Sequence, residues 1–324
     1  MKKKILFIIL LLFVTLAIKA QVLYTDDFDN YSVGNLGIDV NGKTPGQWGW
    51  YTSTSHTQAN NVFTIVNETG RGKVLDISTG FTDGEVLQAW KTNLHTFIAN
   101  RTAGNDVIMF EIDYYTGPMQ TNGGGHADIR LYSIGDPYSL TNPPEGLAVT
   151  TFSKLNGMFY AVHSNNQYVY LPFNSWVKFV IYLDYPNKKA YYHLPFLNLV
   201  TSRDDFLQHM TSTNLIQDYP ISNIVIDVNV AKSTNDPQIY TRNRYDNIKI
   251  TALNAVPPSV IALNTSEQLA AKFNMYPNPA TNVVTITNAQ NMQVQQVAIY
   301  DIAGKQLSTQ SFNNQTEVQL NVEN

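Results

Sequence analysis

The stretch "VIMFEIDYYTG", Val107 to Gly117, decides the fold. Ile108, Phe110, Ile112 and Tyr114 fall on one side of an extended chain. Met109, Glu111, Asp113 and Tyr115 fall on the other. A period of two with one apolar side marks a half-buried β-strand, its first set turned to a core. The same period sets the carboxylates of Glu111 and Asp113 side by side on the wet face.

The run that follows behaves alike. His126, Asp128, Arg130 and Tyr132 alternate with Ala127, Ile129 and Leu131. If the two runs pair in one sheet, their polar sides form a single patch. It would hold Glu111, Asp113, Tyr115, His126, Asp128, Arg130 and Tyr132. Further out, "KVLDIST", "GMFYAVHS", "WVKFVIYLDY", "KAYYHLPF", "NIVIDVNVA" and "YDNIKITAL" repeat the pattern. Turn-forming segments such as "NETGRG", "SNNQ" and "DYPNKK" separate them. Many short strands at this spacing predict an all-β, two-sheet antiparallel sandwich over residues 21–253. One helix is expected at Ser202 to Asn214, with Ser202 as its cap. Residues 254–272, with Pro257-Pro258, read as a linker. A second, smaller β unit follows over 273–324, with a hairpin turn at Gly304.

Composition narrows the function. Residues 1–20 carry Lys2, Lys3 and Lys4, then an apolar run and a small-residue end at Ala20, the pattern of a secretory signal peptide. Cleavage there removes four lysines and takes the formal charge from −4 to −8. An acidic chain without a basic cluster excludes nucleic acid as the expected partner. No later segment is long and apolar enough to span a membrane. There is no cysteine, so an exported fold depends on its core or on a metal.

Two resemblances build on these residues. "MYPNPATNVVTI", Met275 to Ile286, and "VAIYDIAGKQL", Val297 to Leu307, resemble the C-terminal sorting domain of type IX secretion substrates. That implies a small immunoglobulin-like sandwich, the secretion machinery as a partner, and a destination outside the cell or on its surface. In the family a Gly-containing turn and a last strand would follow Asn324, so the resemblance implies an incomplete sorting domain.

The larger unit is similar to the concanavalin A-like lectin and glucanase superfamily. "LYTDDFDNYSVG" resembles its first strand, "WVKFVIYLDYPNKKAYYHL" a central hairpin, and "RYDNIKITAL" its closing strand. The resemblance implies a jelly roll with a concave, sugar-binding face. It also implies a structural calcium between first and last strands, at Asp27 and Asp246. The superfamily's glycosidases carry three carboxylic acids on one strand. Here Glu111 and Asp113 fill two places, and the third falls on Tyr115 or Thr116. Hydrolysis needs both an acid and a base or nucleophile. The expected function is therefore carbohydrate binding without cleavage, with Glu111 and Asp113 as the catalytic pair if the protein is an enzyme. The alternatives are a polysaccharide-degrading enzyme with an atypical site and an adhesin for a protein partner. Trp48 and Trp50, same-side rings in the Gly-rich "GQWGWYTST", are candidate sugar-stacking residues. Tyr51, Trp90, Tyr138 and Trp176 are further aromatic candidates.

Overall fold

In the computed structural model the described residues are 20–56, 59–79, 84–119, 125–135, 144–161, 168–204, 206–207, 210, 212–230, 241–270, 273–277, 279–288, 294–300, 306–315 and 317–322. They form two compact units. The first covers the chain to residue 256 apart from 198–201, and the second takes those four residues and 257–324. The expected signal peptide and Tyr138 lie outside the described residues.

The strands of the first unit are β1 (Gln21–Asp26), β2 (Gly34–Asn35), β3 (Trp50–Thr54), β4 (Phe63–Glu68), β5 (Gly72–Thr79), β6 (Val86–Lys91), β7 (Val107–Tyr115) and β8 (Gly125–Tyr132). They continue with β9 (Gly146–Ser153), β10 (Met158–Ala161), β11 (Tyr168–Tyr170), β12 (Trp176–Asp184), β13 (Lys189–Leu194), β14 (Leu199–Asp204), β15 (Asn223–Val230) and β16 (Thr241–Leu253). Short helices α1 (His95–Ile98) and α2 (Leu215–Asp218) interrupt them.

A nine-stranded sheet runs β14-β13-β12-β7-β16-β5-β4-β2, with β1 paired to β16, and a seven-stranded sheet runs β11-β10-β9-β8-β15-β6-β3. The chain crosses between sheets at β2 to β3, β3 to β4, β5 to β6, β6 to β7, β7 to β8, β11 to β12, β14 to β15 and β15 to β16. This is the interleaving of a jelly-roll sandwich. The period of two in "VIMFEIDYYTG" predicts the core side of β7 correctly: Ile108, Phe110 and Ile112 are fully buried. The sheets meet through ring contacts, Tyr114 on Phe152 at 5.5 Å and Phe159 on Phe179 at 5.2 Å.

One local expectation fails. Ser202 caps no helix: it sits buried in β14, where Val200 and Ser202 alternate with exposed or half-buried neighbours. Burial at a period of two overrides the capping pattern. The segment read as a linker contains helix α3 (Pro258–Ala270). Its proline stands at the first helical position, where the missing N–H costs nothing.

The second unit has β17 (Phe273–Tyr276), β18 (Val283–Asn288), β19 (Val294–Tyr300), β20 (Gln306–Gln315) and β21 (Glu317–Asn321). A sheet β17-β18-β21 and a ribbon β19-β20 enclose Ile286, Val294, Val318 and Leu320, a small β-sandwich core. The expected turn at Gly304 lies outside the described residues.

Candidate functional site

The single polar patch expected from the sequence is split in two. β7 pairs with β12 and β16, whereas β8 pairs with β9 and β15 in the other sheet. The cause is the crossover between β7 and β8, which a hairpin reading of consecutive strands misses.

Glu111, Asp113 and Tyr115 lie on the outer face of the nine-stranded sheet, and cations occupy that face. Asp113 accepts from Arg71 Nη1 at 2.9 Å and from Asn247 Nδ2 at 3.0 Å, and Lys178 Nζ lies 3.0 Å away. Burial pushes the Asp113 carboxyl up, but Arg71, Asn247 and Lys178 outweigh it and hold it below the usual range. Glu111 faces Lys249 Nζ at 3.2 Å. Arg71 lies 3.9 Å over the Trp176 ring, and Tyr115 packs on the same indole at 5.5 Å. Arg130 lies on the other sheet. Glu111 and Asp113 thus both sit in an ion-pair lattice, with Lys249 on the first and Arg71 and Lys178 on the second.

Asp246 belongs to the same lattice. Its Oδ2 takes Arg71 Nη1 at 3.1 Å and Asn247 Nδ2 at 3.1 Å. Burial, with Asp113 close by, pushes its carboxyl up to about 6 against the pull of Arg71. Asp27 is exposed, and its Oδ1 accepts the Asp29 N–H at 3.2 Å. Among the described residues no group of three or more His, Asp or Glu could hold a metal. Asp27 and Asp246 do not fit as a two-carboxylate calcium ligand set, because three nitrogen donors, the third the Asn247 backbone N–H on Oδ1 at 2.7 Å, already hold Asp246.

His126, Asp128, Arg130 and Tyr132 lie on the outer face of the seven-stranded sheet. Directly paired residues share a face. The register therefore sets one row across all seven strands: Ser53, Gln88, Asp227, Asp128, Thr151, Tyr160 and Tyr168. At a strand spacing of about 4.8 Å this row is about 29 Å long. At its centre Asp128 and Asp227 are direct cross-strand partners, 3% and 1% exposed. Arg130 joins them. Its Nη2 donates to Asp128 Oδ2 at 2.7 Å, and its Nε lies 2.7 Å from Asp227 Oδ2 without aligning as a hydrogen bond. Burial raises the Asp227 carboxyl, with Arg130 and Gln88 opposing and Asp128 adding to the rise. The Tyr132 side chain also bonds Arg130. His126 Nε2 meets Asn229 Nδ2 at 2.9 Å. Asp128 Oδ1 is buried without a hydrogen-bond donor among the described residues.

Aromatic rings stand at both ends of this face. On β11, Tyr168 and Tyr170 are 57% and 62% exposed and meet edge to face at 5.9 Å. Near β3, Tyr51 stacks on Trp90 at 5.5 Å beside an open cavity of about 400 Å³ that Asn93 and His95 also line. Sequence reading missed Asp227, Tyr168 and Tyr170. The signal for Asp227 was present, a lone charge inside the apolar run "NIVIDVNV", which is rare unless the charge is paired.

The two tryptophans expected as a pair separate. Trp50 is fully buried and is no stacking residue, whereas Trp48 is 63% exposed. The backbone at Trp48 turns left-handed (φ 51°), so spacing by two no longer means one side.

Residues 274–324 match the family described as a secretion system C-terminal sorting domain. The tail is a sorting domain. It marks the protein for export by type IX secretion, to the cell surface or outside. No curated protein matches the sequence. Among solved structures, a sialidase is similar over 72% of this chain and 18% of its own, at 9% identity and a TM-score of 0.43. The Trypanosoma rangeli sialidase is similar over 73% and 32%, at 11% identity and 0.37. Lectin II from Ulex europaeus is similar over 68% and 99%, at 11% identity and 0.38. The chain thus spans under a third of the length of these sialidases. Scores this low transfer no site to this chain.

Proposed function

We propose that the exported protein binds carbohydrate through the outer face of its seven-stranded sheet and does not cleave it. The observation that carries this reading is the seven-residue row, with exposed tyrosines at one end and a buried Asp128–Arg130–Asp227 cluster at its centre. Flat rings stack on the apolar face of a pyranose, and fixed charged groups bond its hydroxyls. A row of about 29 Å matches an extended oligosaccharide better than a single sugar. Cleavage would need one carboxyl free to donate a proton and its neighbour ionised. Arg130 lies against both, so neither stands free.

The test is retardation of the purified protein in gels containing a panel of polysaccharides, with reducing-end release measured alongside. The double substitution Tyr168→Ala with Tyr170→Ala should weaken binding about tenfold or more. Glu111→Gln, on the other sheet, should change nothing. Equal retardation of the double variant and the wild type removes this face from the function, and reducing-end release that Asp227→Asn abolishes makes the protein an enzyme.

Calcium, the cofactor expected from sequence, remains a proposal for Asp27 with backbone carbonyls, since oxygen ligands of that kind suit the ion. A chelator should lower Tm in the wild type and not in Asp27→Ala. A wild-type Tm indifferent to chelator ends the proposal. No helix among the described residues is long and apolar enough to cross a membrane.

A further inference from the structure

We infer a second sugar site, at the seam between the two sheets, where Trp48 overhangs a cleft of about 600 Å³. Only the ligand class rests on the function proposed above; the site itself stands on separate residues. Its polar floor joins both sheets: Asp26 ends β1 of the nine-stranded sheet, and Lys91 ends β6 of the seven-stranded sheet. Lys91 points inward, away from the outer face that carries Trp90.

Three observations make the cleft a built feature. First, Trp48 combines high exposure with a left-handed backbone, a conformation that non-glycine residues avoid and that clusters at functional sites. Second, its turn is pinned. Lys91 Nζ donates to the Trp48 carbonyl at 2.7 Å. The neighbouring Gln47 side chain accepts from the Ser32 N–H at 2.8 Å and donates to the carbonyls of Ser32 at 2.9 Å and Asn35 at 2.8 Å. A Cβ on Gly46 would lie 2.1 Å from the Leu36 carbonyl oxygen, so the turn can pack here only with glycine. Third, the cleft holds two ring pairs, Trp48 with Tyr31 at 5.8 Å and the 40% exposed Phe97 with Tyr24 at 5.3 Å. An exposed indole held rigidly beside other rings is a stacking platform, not a packing residue.

The polar groups select the ligand. With no cation on Asp27, Lys91 is matched by Asp26, at 3.6 Å, which leaves the exposed Asp27 carboxylate as the surplus charge. Asp27 and Asn30, both exposed, are placed to bond hydroxyls at the mouth. A cleft of this size takes a chain-end sugar, and surplus negative charge repels a uronate. The ligand is therefore the neutral end of an oligosaccharide.

The test titrates the full protein, in buffer containing chelator, with cellotetraose, maltotetraose, laminaritetraose and mannotetraose, against tetragalacturonate, following tryptophan fluorescence and calorimetric Kd. At least one neutral probe should quench the indole emission. Trp48→Ala should weaken that probe tenfold or more, and the Tyr168→Ala, Tyr170→Ala double variant should leave the quench intact. Trp48→Gly, which relieves the left-handed strain, should weaken binding with Tm unchanged or higher, an outcome that a purely structural tryptophan would not give. Neutral-probe binding indifferent to Trp48→Ala overturns the cleft and leaves the outer face standing. Tighter binding of tetragalacturonate overturns the ligand class. Silence from every probe in fluorescence and calorimetry overturns the cleft, and the outer face is then judged by its own gel test.

Discussion

Asp26→Ala should destabilise the first unit by about 3–5 kcal/mol, the largest single loss expected on this sheet seam. One buried oxygen serves four partners. Asp26 Oδ2 accepts from Tyr24 Oη at 2.8 Å, Tyr31 Oη at 2.6 Å and Trp50 Nε1 at 3.1 Å, and Lys91 Nζ lies 3.6 Å away. Burial, reinforced by Asp26 itself, pushes both tyrosine hydroxyls far above their ordinary range, so they remain donors. Alanine leaves the largely buried Lys91 charge without its counter-ion and orphans the two tyrosine hydroxyls, while Trp50 Nε1 keeps Tyr31 Oη as an acceptor at 3.0 Å. Each orphan costs about 1–3 kcal/mol alone, and the losses overlap because the groups share one site. Asp26→Asn keeps an acceptor and loses only the charge, so it should cost less than alanine. Urea unfolding followed by tryptophan emission reads both, since Trp50 is in the core. A loss below about 1 kcal/mol for alanine would show that the network is not a main support of the fold.

What the sequence disclosed follows a physical division. Alternation is local, so "VIMFEIDYYTG" gave its core and wet faces at sight. Pairing is not local. The partners of Asp113 are Arg71 and Asn247, 42 and 134 positions away, and a single chain without its fold does not name them. Consecutive strands were read as neighbours because hairpins are the common connection, yet a jelly roll sends β7 and β8 to opposite sheets. Asp128 and Arg130 stand two apart on one strand, but Asp227, which completes the cluster, comes from β15, nearly 100 residues later. Backbone handedness is equally hidden. Trp48 and Trp50 look equivalent on paper, and one residue with positive φ sends one ring to solvent and the other to the core. The sorting tail is the opposite case, because its recognition rests on short contiguous blocks.

The stability of the first unit should rise from pH 7.5 to pH 9, and Lys154 should be the main reason. Its side chain is fully buried, donates to the carbonyls of Thr116 and Arg242, and lies 5.7 Å from the Phe152 ring. Gly117, in a left-handed conformation, leaves room for this approach; a Cβ there would stand 3.0 Å from Lys154 Nζ. Burial pushes the ammonium down from 10.5 to about 7. Between those values the unfolded chain binds a proton that the folded chain does not, so stability climbs with pH through that window. At about 1.4 kcal/mol per tenfold, the full span is on the order of 5 kcal/mol. Lys91, also lowered by burial, adds the same sign inside the window. His193, lowered by burial, adds the same sign only below its ordinary 6.5, and Asp246, raised to about 6, is spent by pH 7. Toward pH 10 and above the trend is opposed, because the unfolded chain loses protons that raised tyrosines such as Tyr24, Tyr31 and Tyr185 still hold. The unfolding free energy should rise by about 2 kcal/mol between pH 7.5 and 9 in the wild type, at about 1.4 kcal/mol per pH unit. In Lys154→Met most of that rise should vanish, at a lower level set by the carbonyls of Thr116 and Arg242 left without their donor. A wild-type profile that is flat or falling over that interval would mean that the lysine stays charged inside the fold, held by those carbonyls.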